Sequence, residues 1–292
     1  MIEHTFDGIY PALITPFNTT GAIDELALID LTRWHIDQGV AGFYVGGSTG
    51  ESLLLTSEER KRVLEIVAYE AQGKADVIAH IGSFSTRQAV ELAQHASDVG
   101  VRAVSSVPPF YYKHTLSELA AYYADIASES GLPIILYNVP ALSGIAFKSG
   151  ELSDLFADPN IIGVKHTSYD MYQMERLISG YPDKTVFGGH DELFLSALAI
   201  GARGSIGSTF NFMPGLFRSL REAFDNRRLE EAALLQKRVN NIIDVLLEVG
   251  VFPGVKAALQ WLGRPCGECR KPFQPLTAAE RRKLSSVLEN NL

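Results

Sequence analysis

Pro133-Ile134-Ile135-Leu136-Tyr137-Asn138 and Ile161-Ile162-Gly163-Val164-Lys165-His166 are short, nearly unbroken apolar runs that end on polar residues. Runs of this length and composition suit strands covered on both faces, as in a parallel sheet layered by helices. Similar runs begin near Gly8, Gly42, Asp76, Arg102, Lys184 and Ala202, so successive starts from Gly8 to Ala202 lie 34, 34, 26, 31, 28, 23 and 18 residues apart. Helical periodicity fills the intervals. Eight strand–helix units within residues 1–225 predict an α/β chain folded as a (β/α)8 TIM barrel. The rival is an open doubly wound sheet, which usually carries a glycine-rich dinucleotide turn in its first βα loop. Here that loop reads Ile14-Thr15-Pro16-Phe17-Asn18, which offers no cradle for a pyrophosphate.

The helical segments carry their own start signals. Ile23–Asp37 places Leu26, Ile29, Leu31, Trp34 and Ile36 at mixed three- and four-residue steps behind Asp24 as N-cap. Ser57 is expected to cap a second helix with Val63, Ile66 and Val67 inward. Thr86–Val99, Ser117–Glu129, Asp170–Ile178, Glu192–Ile200 and Pro214–Phe224 repeat the theme. Beyond Asn226 the beat changes. Leu229–Val249 reads as one long helix with Leu234, Leu235, Val239, Ile242, Ile243, Leu246 and Leu247 as its apolar stripe, and Pro253–Leu262 and Thr277–Leu288 suggest two more. Residues 226–292 are expected to form a helical extension packed on the barrel as one structural unit, since no low-complexity linker separates them.

The chain has 292 residues, 46% hydrophobic and 21% charged, enough to bury a core without staples. A formal net charge of -8 repels phosphate backbones, so nucleic acid is not an expected partner. Met1-Ile2-Glu3-His4-Thr5-Phe6-Asp7 lacks the basic and apolar regions of a signal peptide, and no run of about 18 apolar residues predicts a membrane span. A cytoplasmic address follows. Cys266 and Cys269 form a CxxC pair near the C-terminus between Pro265 and Pro272. With no second CxxC to complete a zinc site, they read as incidental thiols in a loop.

In such a barrel the working residues lie at the C-terminal ends of the strands. Lys165 ends the sixth. A strand-end lysine often snorkels to water; one held among apolar walls is desolvated and becomes a nucleophile that forms imines with ketones. Tyr137 ends the neighbouring strand, either as a core aromatic or as a proton shuttle. Gly46-Gly47-Ser48-Thr49-Gly50 after the second strand is a tight turn whose amides and hydroxyls suit a carboxylate. It lacks a Walker lysine. Asp191 and Glu192 could simply open the seventh helix near its positive end, and Tyr111 could be a surface or interface aromatic. No His/Asp/Glu trio with metal-ligand spacing appears at these ends.

Taken together, Gly47-Ser48-Thr49-Gly50-Glu51, Tyr137-Asn138-Val139-Pro140 and Gly163-Val164-Lys165 resemble the pyruvate-dependent class I aldolase superfamily that includes dihydrodipicolinate synthases and N-acetylneuraminate lyases. The resemblance runs from about residue 8 to Cys269-Arg270-Lys271-Pro272-Phe273. In the synthases the Tyr-Asn-Val-Pro motif is followed by Gly-Arg-Thr, whose arginine holds a substrate carboxylate. Here Ala141-Leu142-Ser143-Gly144 follows. That segment is similar to the neuraminate lyases, as are Phe110-Tyr111-Tyr112, Tyr172-Gln173-Met174-Glu175 and Gly204-Ser205-Ile206-Gly207-Ser208-Thr209. Pro108, His166 and His190 depart from the usual Thr, Gln and Tyr.

The resemblance implies a Schiff-base aldolase that cleaves sialic acid to N-acetylmannosamine and pyruvate without metal or organic cofactor. It implies that Lys165 forms the imine, that Tyr137 works in a relay with Ser48 and Tyr111, and that Ser48 and Thr49 hold the keto acid's carboxylate. The sugar-contacting positions it carries over are Thr167, Gly189, Asp191, Glu192 and Ser208. It implies further that Tyr111 comes from a neighbouring subunit of a homotetramer. Alternatives are a related pyruvate-dependent aldolase or dehydratase on another 2-keto sugar acid, a dihydrodipicolinate synthase-like enzyme, and a non-catalytic sugar-acid-binding barrel.

Overall fold

A computed structural model describes residues 6–292. Eight parallel strands alternate with helices in the order β1 (Gly8–Pro11), α1 (Glu25–Asp37), β2 (Gly42–Val45), α2 (Ser57–Ala71), β3 (Asp76–His80), α3 (Thr86–Val99), β4 (Ala103–Ser106), α4 (Leu116–Ser130), β5 (Ile134–Asn138), α5 (Pro140–Ser143), α6 (Ser149–Phe156), β6 (Ile161–His166), α7 (Met171–Gly180), β7 (Thr185–Gly188), α8 (Phe194–Ala199), β8 (Gly204–Gly207) and α9 (Pro214–Asp225). From β2 to β8 each strand pairs with its sequence neighbour, and β1 pairs with β8. The seam between β1 and β2 is bridged at Ala12 and Tyr44, with Leu13 N–H donating to the Tyr44 carbonyl at 3.0 Å. The result is the expected (β/α)8 barrel.

The strand period of two divides the buried side chains into two layers. Tyr10, Tyr44, Ile78, Ile135, Tyr137, Ile162, Phe187 and Ile206 fill the barrel interior. Their alternates, among them Phe43, Val45, Ile134, Leu136, Val164 and Val186, pack outward under the helices. Lys165 follows outward-facing Val164, so the same alternation turns it into the barrel.

Three further helices, α10 (Leu229–Val249), α11 (Val251–Trp261) and α12 (Ala278–Asn291), follow the barrel. They dock onto it through specific polar contacts: Gln236 accepts from Leu195 N–H at 2.8 Å and donates to the Asp191 carbonyl at 3.2 Å. No helix among the described residues is long and apolar enough to cross a membrane.

Several local expectations need correction. The cap of α2 is Thr56, not Ser57: its hydroxyl accepts from Glu59 N–H while Glu59 accepts from Thr56 N–H, a reciprocal capping box. Ser57 instead receives a hydrogen bond from Gln88. In α1 the buried face is Leu28, Leu31, Thr32 and His35, while Leu26 is exposed. Leu234 and Leu247 of α10 are exposed as well, because docking on the barrel and on α12 covers a narrower arc than their periodicity suggested. The segment read as one helix over Glu192–Ile200 is a tight turn at Asp191–Leu193 followed by α8. The sequence reading missed α5 and α6, which fill the interval after β5.

Candidate active site

Lys165 is 4% exposed, and its Nζ lies 4.2 Å from the Tyr137 ring centroid and 4.3 Å from that of Tyr44. Tyr137 and Lys165 are register partners on β5 and β6, which places both at one level of the barrel mouth. Tyr44 and Tyr137 meet edge to face at 5.9 Å, and His80 approaches each ring at 5.9 Å. The amine is therefore walled by π faces that cover it from bulk water. Tyr44 donates to or accepts from Ser105 at 3.1 Å, and burial holds its phenol well above the ordinary tyrosine range.

His80 is a neutral fixture of this wall. Burial first, then the nearby Arg60 charge, push its imidazole down to about 3. Its Nδ1 faces the Gly46 carbonyl at 2.9 Å, and a carbonyl can only accept, so the proton sits on Nδ1. Nε2 is then left to accept from Val107 N–H at 3.4 Å. His80 so ties the start of the Gly46–Gly50 turn to the end of β4.

That turn fits closely over the barrel interior. A Cβ at Gly47 would stand 2.6 Å from the Tyr44 ring, so no larger residue fits without moving the tyrosine. Thr15 donates to the Gly50 carbonyl at 2.8 Å. Thr49 and Ser208 share a hydrogen bond at 2.8 Å, which joins the turn after β2 to the end of β8. Ser48 is half-buried and lines a cavity of about 340 Å³ whose wall also includes His80, Val139, Leu142, Phe252 and Phe273.

The opposite rim holds the remaining sequence candidates. A Cβ at Gly189 would fall 1.9 Å from the Thr167 hydroxyl, so glycine is what lets these two strand ends meet. The Thr167 Oγ1 is itself buried without a hydrogen-bond partner in the chain. Asp191 Oδ2 accepts from the Thr209 amide at 2.8 Å and from its hydroxyl at 2.7 Å. Burial pushes this carboxyl up to about 6 against those hydrogen bonds. Glu192 Oε1 accepts from Tyr169 at 2.8 Å and lies 3.0 Å from His190 Nδ1, while the Tyr169 and His190 rings stack at 4.3 Å. Burial acts to raise the Glu192 carboxyl, but hydrogen bonds from His190, its own backbone and Tyr169 outweigh it and hold the group below the ordinary value.

Lys165, Tyr137, Ser48, Thr49, Ser208, Thr167, Gly189, Asp191 and Glu192 therefore gather around one barrel mouth. Tyr111 does not join them within the chain. It is 77% exposed and packs edge to face on Tyr112. Sequence reasoning assigned no role to Tyr44, His80 or Tyr169. The first two belong to strands whose ends could have been searched for aromatic and imidazole groups. Tyr169 signals itself through its stack on His190 and its hydrogen bond to Glu192. Cys266 and Cys269 are free, and burial pushes both thiols up to about 12. Among the described residues no cluster of three or more His, Cys, Asp or Glu side chains is arranged to hold a metal ion.

The arrangement offers a shielded amine, a neighbouring phenol, a small turn for an anion and a polar rim, which together suit condensation with a carbonyl compound bearing a carboxylate and hydroxyls. Comparison with known proteins agrees. The dihydrodipicolinate synthetase family matches residues 5–291. The N-acetylneuraminate lyase of Rhizobium meliloti is 45% identical over 94% of this chain and 91% of its own length. A Clostridium difficile structure, CdNal in complex with mannosamine, superposes with a TM-score of 0.95 at 36% identity, covering 99% of this chain and 100% of that one. The Bacillus anthracis dihydrodipicolinate synthase superposes at 0.94 with 33% identity, covering 98% of each chain.

Proposed function

We propose, for a chain that belongs to the dihydrodipicolinate synthetase family, that it is a Schiff-base aldolase cleaving N-acetylneuraminate reversibly to N-acetylmannosamine and pyruvate. The observation that carries this reading is the Lys165 amine, shielded at the barrel mouth and 4.2 Å from the Tyr137 ring, in a chain 45% identical to an N-acetylneuraminate lyase. The fold by itself does not choose between branches, since the barrel is shared with a dihydrodipicolinate synthase. The cavity beside Ser48 is lined by apolar Leu142, which offers no charge for a second carboxylate. This disfavours a substrate that needs a second carboxylate held there.

Each residue then has a defined task. Ser48 and Thr49, with their backbone amides, hold the carboxylate of the open-chain 2-keto acid. The Lys165 amine attacks C2, water leaves, and a protonated imine results. Tyr137, in a relay with Ser48 and Tyr111, takes the proton from the C4 hydroxyl. The C3–C4 electron pair flows to the imine nitrogen, which releases N-acetylmannosamine and leaves an enamine. Protonation at C3 and hydrolysis free pyruvate and restore the amine. Thr167, Gly189, Asp191, Glu192 and Ser208 receive the polyhydroxyl tail. A site built to pair several hydroxyls rejects analogues that lack them.

Tyr111 reaches a site only from another copy of the chain, so the working form is an oligomer, which we take to be a homotetramer. The 226–292 helices act with the barrel as one unit. A reducing cytoplasm suits the two free thiols. Assay of pyruvate release from N-acetylneuraminate and from a panel of 2-keto sugar acids tests the reading. Faster release from a deoxy sugar acid would replace it with a related aldolase or dehydratase, and no release from any of them would leave a binding barrel.

A further inference from the structure

Two stretches that mark the sequence have no task in the imine chemistry. One is Glu51, which ends the Gly47–Glu51 run, and the other is Cys269–Phe273. The structure joins them. Glu51 has a φ of 59°, in the left-handed region that a residue with a Cβ enters at a cost. Its side chain is fully buried and held from two sides. Oε1 lies 2.7 Å from the Nζ of Lys256 on α11, a side chain only 1% exposed, and Oε2 accepts from the Arg270 backbone N–H at 2.8 Å. Arg270 is tied down in turn, its guanidinium donating to the Gly21 carbonyl, the Leu54 carbonyl and Glu59. Lys256 also donates to the Glu268 carbonyl at 3.1 Å.

On its other side Glu51 closes the turn after β2. Its N–H donates to the Ser48 carbonyl at 3.0 Å, and Gly50 N–H donates to the Gly47 carbonyl at 3.1 Å. Ser48 and Thr49 thus hang between two anchors: His80 on Gly46 before them, and Glu51 after them. A buried ion pair is a weak source of stability, because desolvation of both charges offsets their attraction. Fixing a strained turn in one geometry is a use that apolar packing could not supply.

We propose that Glu51 is the positioning residue of the Ser48–Thr49 carboxylate turn, held there by Lys256 and the Arg270 backbone, so that the C-terminal helices set the geometry of the active site. This rests on reading that turn as the keto acid's carboxylate cradle.

The test uses the full chain and paired variants that leave no buried charge unpaired. E51A/K256M removes both anchors. E51Q/K256M removes the ion pair but keeps an amide oxygen for the Arg270 N–H. For each, KM and kcat with N-acetylneuraminate are measured, together with the pyruvate concentration that half-saturates borohydride trapping and the thermal midpoint. E51A/K256M is expected to raise KM and the trapping midpoint by about tenfold or more and to lower kcat as well, because Ser48 serves both the carboxylate and the relay and small displacements of such a group cost rate steeply. E51Q/K256M is expected to recover to within about threefold of the parent. A KM unchanged in E51A/K256M while its thermal midpoint falls would show a structural pair only, and E51Q/K256M as impaired as E51A/K256M would equally overturn the proposal. If the parent protein itself traps no pyruvate, the aldolase reading fails before this inference is tested.

Discussion

Lys165 and Tyr137 face each other across neighbouring strands, paired in register, with the amine 4.2 Å from the phenol ring. This spacing lets one side chain bind the carbonyl carbon while the other serves the atoms two bonds further along the substrate. Tyr137→Phe removes the hydroxyl and keeps the ring. It should still form the pyruvate adduct on Lys165, while cleavage slows by about 10²–10⁴-fold, the usual worth of a general acid–base group. Single-turnover measurement of adduct formation and sugar release separates the two steps. Unchanged release would remove Tyr137 from the relay.

Lys165→Met keeps the unbranched stem between Tyr44 and Tyr137 but has no amine. Pyruvate release should become undetectable while the thermal midpoint stays close to the parent's, because among the described residues Lys165 alone places an amine over the Tyr44 and Tyr137 rings. Residual turnover above the Tyr137→Phe level would require a different nucleophile.

Tyr111 is exposed and packs on Tyr112. If it completes a neighbour's site, Tyr111→Phe and Lys165→Met should each be impaired alone, yet recover activity when unfolded together and refolded as mixed oligomers. Some sites in the mixture then combine a native Lys165 with a partner's native Tyr111. Recovery measured as pyruvate release against the unmixed controls decides it, and a mixture no better than its components would place Tyr111 outside the relay.

Asp191 carries a pH signature. Its folded carboxyl is pushed up to about 6, above the ordinary aspartate value of 3.8, with burial as the largest cause. The folded state therefore binds the proton more tightly than the unfolded state. Its contribution favours folding below about pH 4 and is lost as pH rises through about 6, to the extent of about 1–3 kcal/mol. Asp191→Asn keeps an acceptor for Thr209 but does not titrate. The variant's stability relative to the parent should rise between pH 4 and 6 in denaturant unfolding, and a pH-independent difference would contradict the assignment.

Gly189→Ala would place a methyl 1.9 Å from the Thr167 hydroxyl and 2.8 Å from its Cβ. Overpacking of this kind should cost about 1–3 kcal/mol and raise KM for the sugar acid. Adding Thr167→Ala should return part of the stability without restoring KM, since the rim hydroxyl is then gone. Chemical denaturation and steady-state kinetics on the two variants check both halves.

What could be read from sequence follows from how local each signal is. The barrel was legible because its strand beat repeats eight times, and Lys165 because a single residue after Val164 decides which layer it enters. The rim residues were carried by motif resemblance, and the structure gathers them at one mouth. Ser57 was mistaken for a cap because Thr56 satisfies the same rule one residue earlier and brings Glu59 with it. Leu26, Leu234 and Leu247 were misplaced because periodicity gives a stripe but not the width of the surface that covers it. The Glu51 anchors lay beyond reach for another reason: the Glu51–Arg270 bond spans 219 residues, and no local pattern encodes such a pairing.

The most direct test of the central claim is borohydride reduction of the native protein in the presence of pyruvate, followed by peptide mass mapping. The account predicts a single reduced pyruvate adduct on the peptide that carries Lys165, absent from the Lys165→Met variant. An unmodified protein, or an adduct on any other lysine, would contradict it.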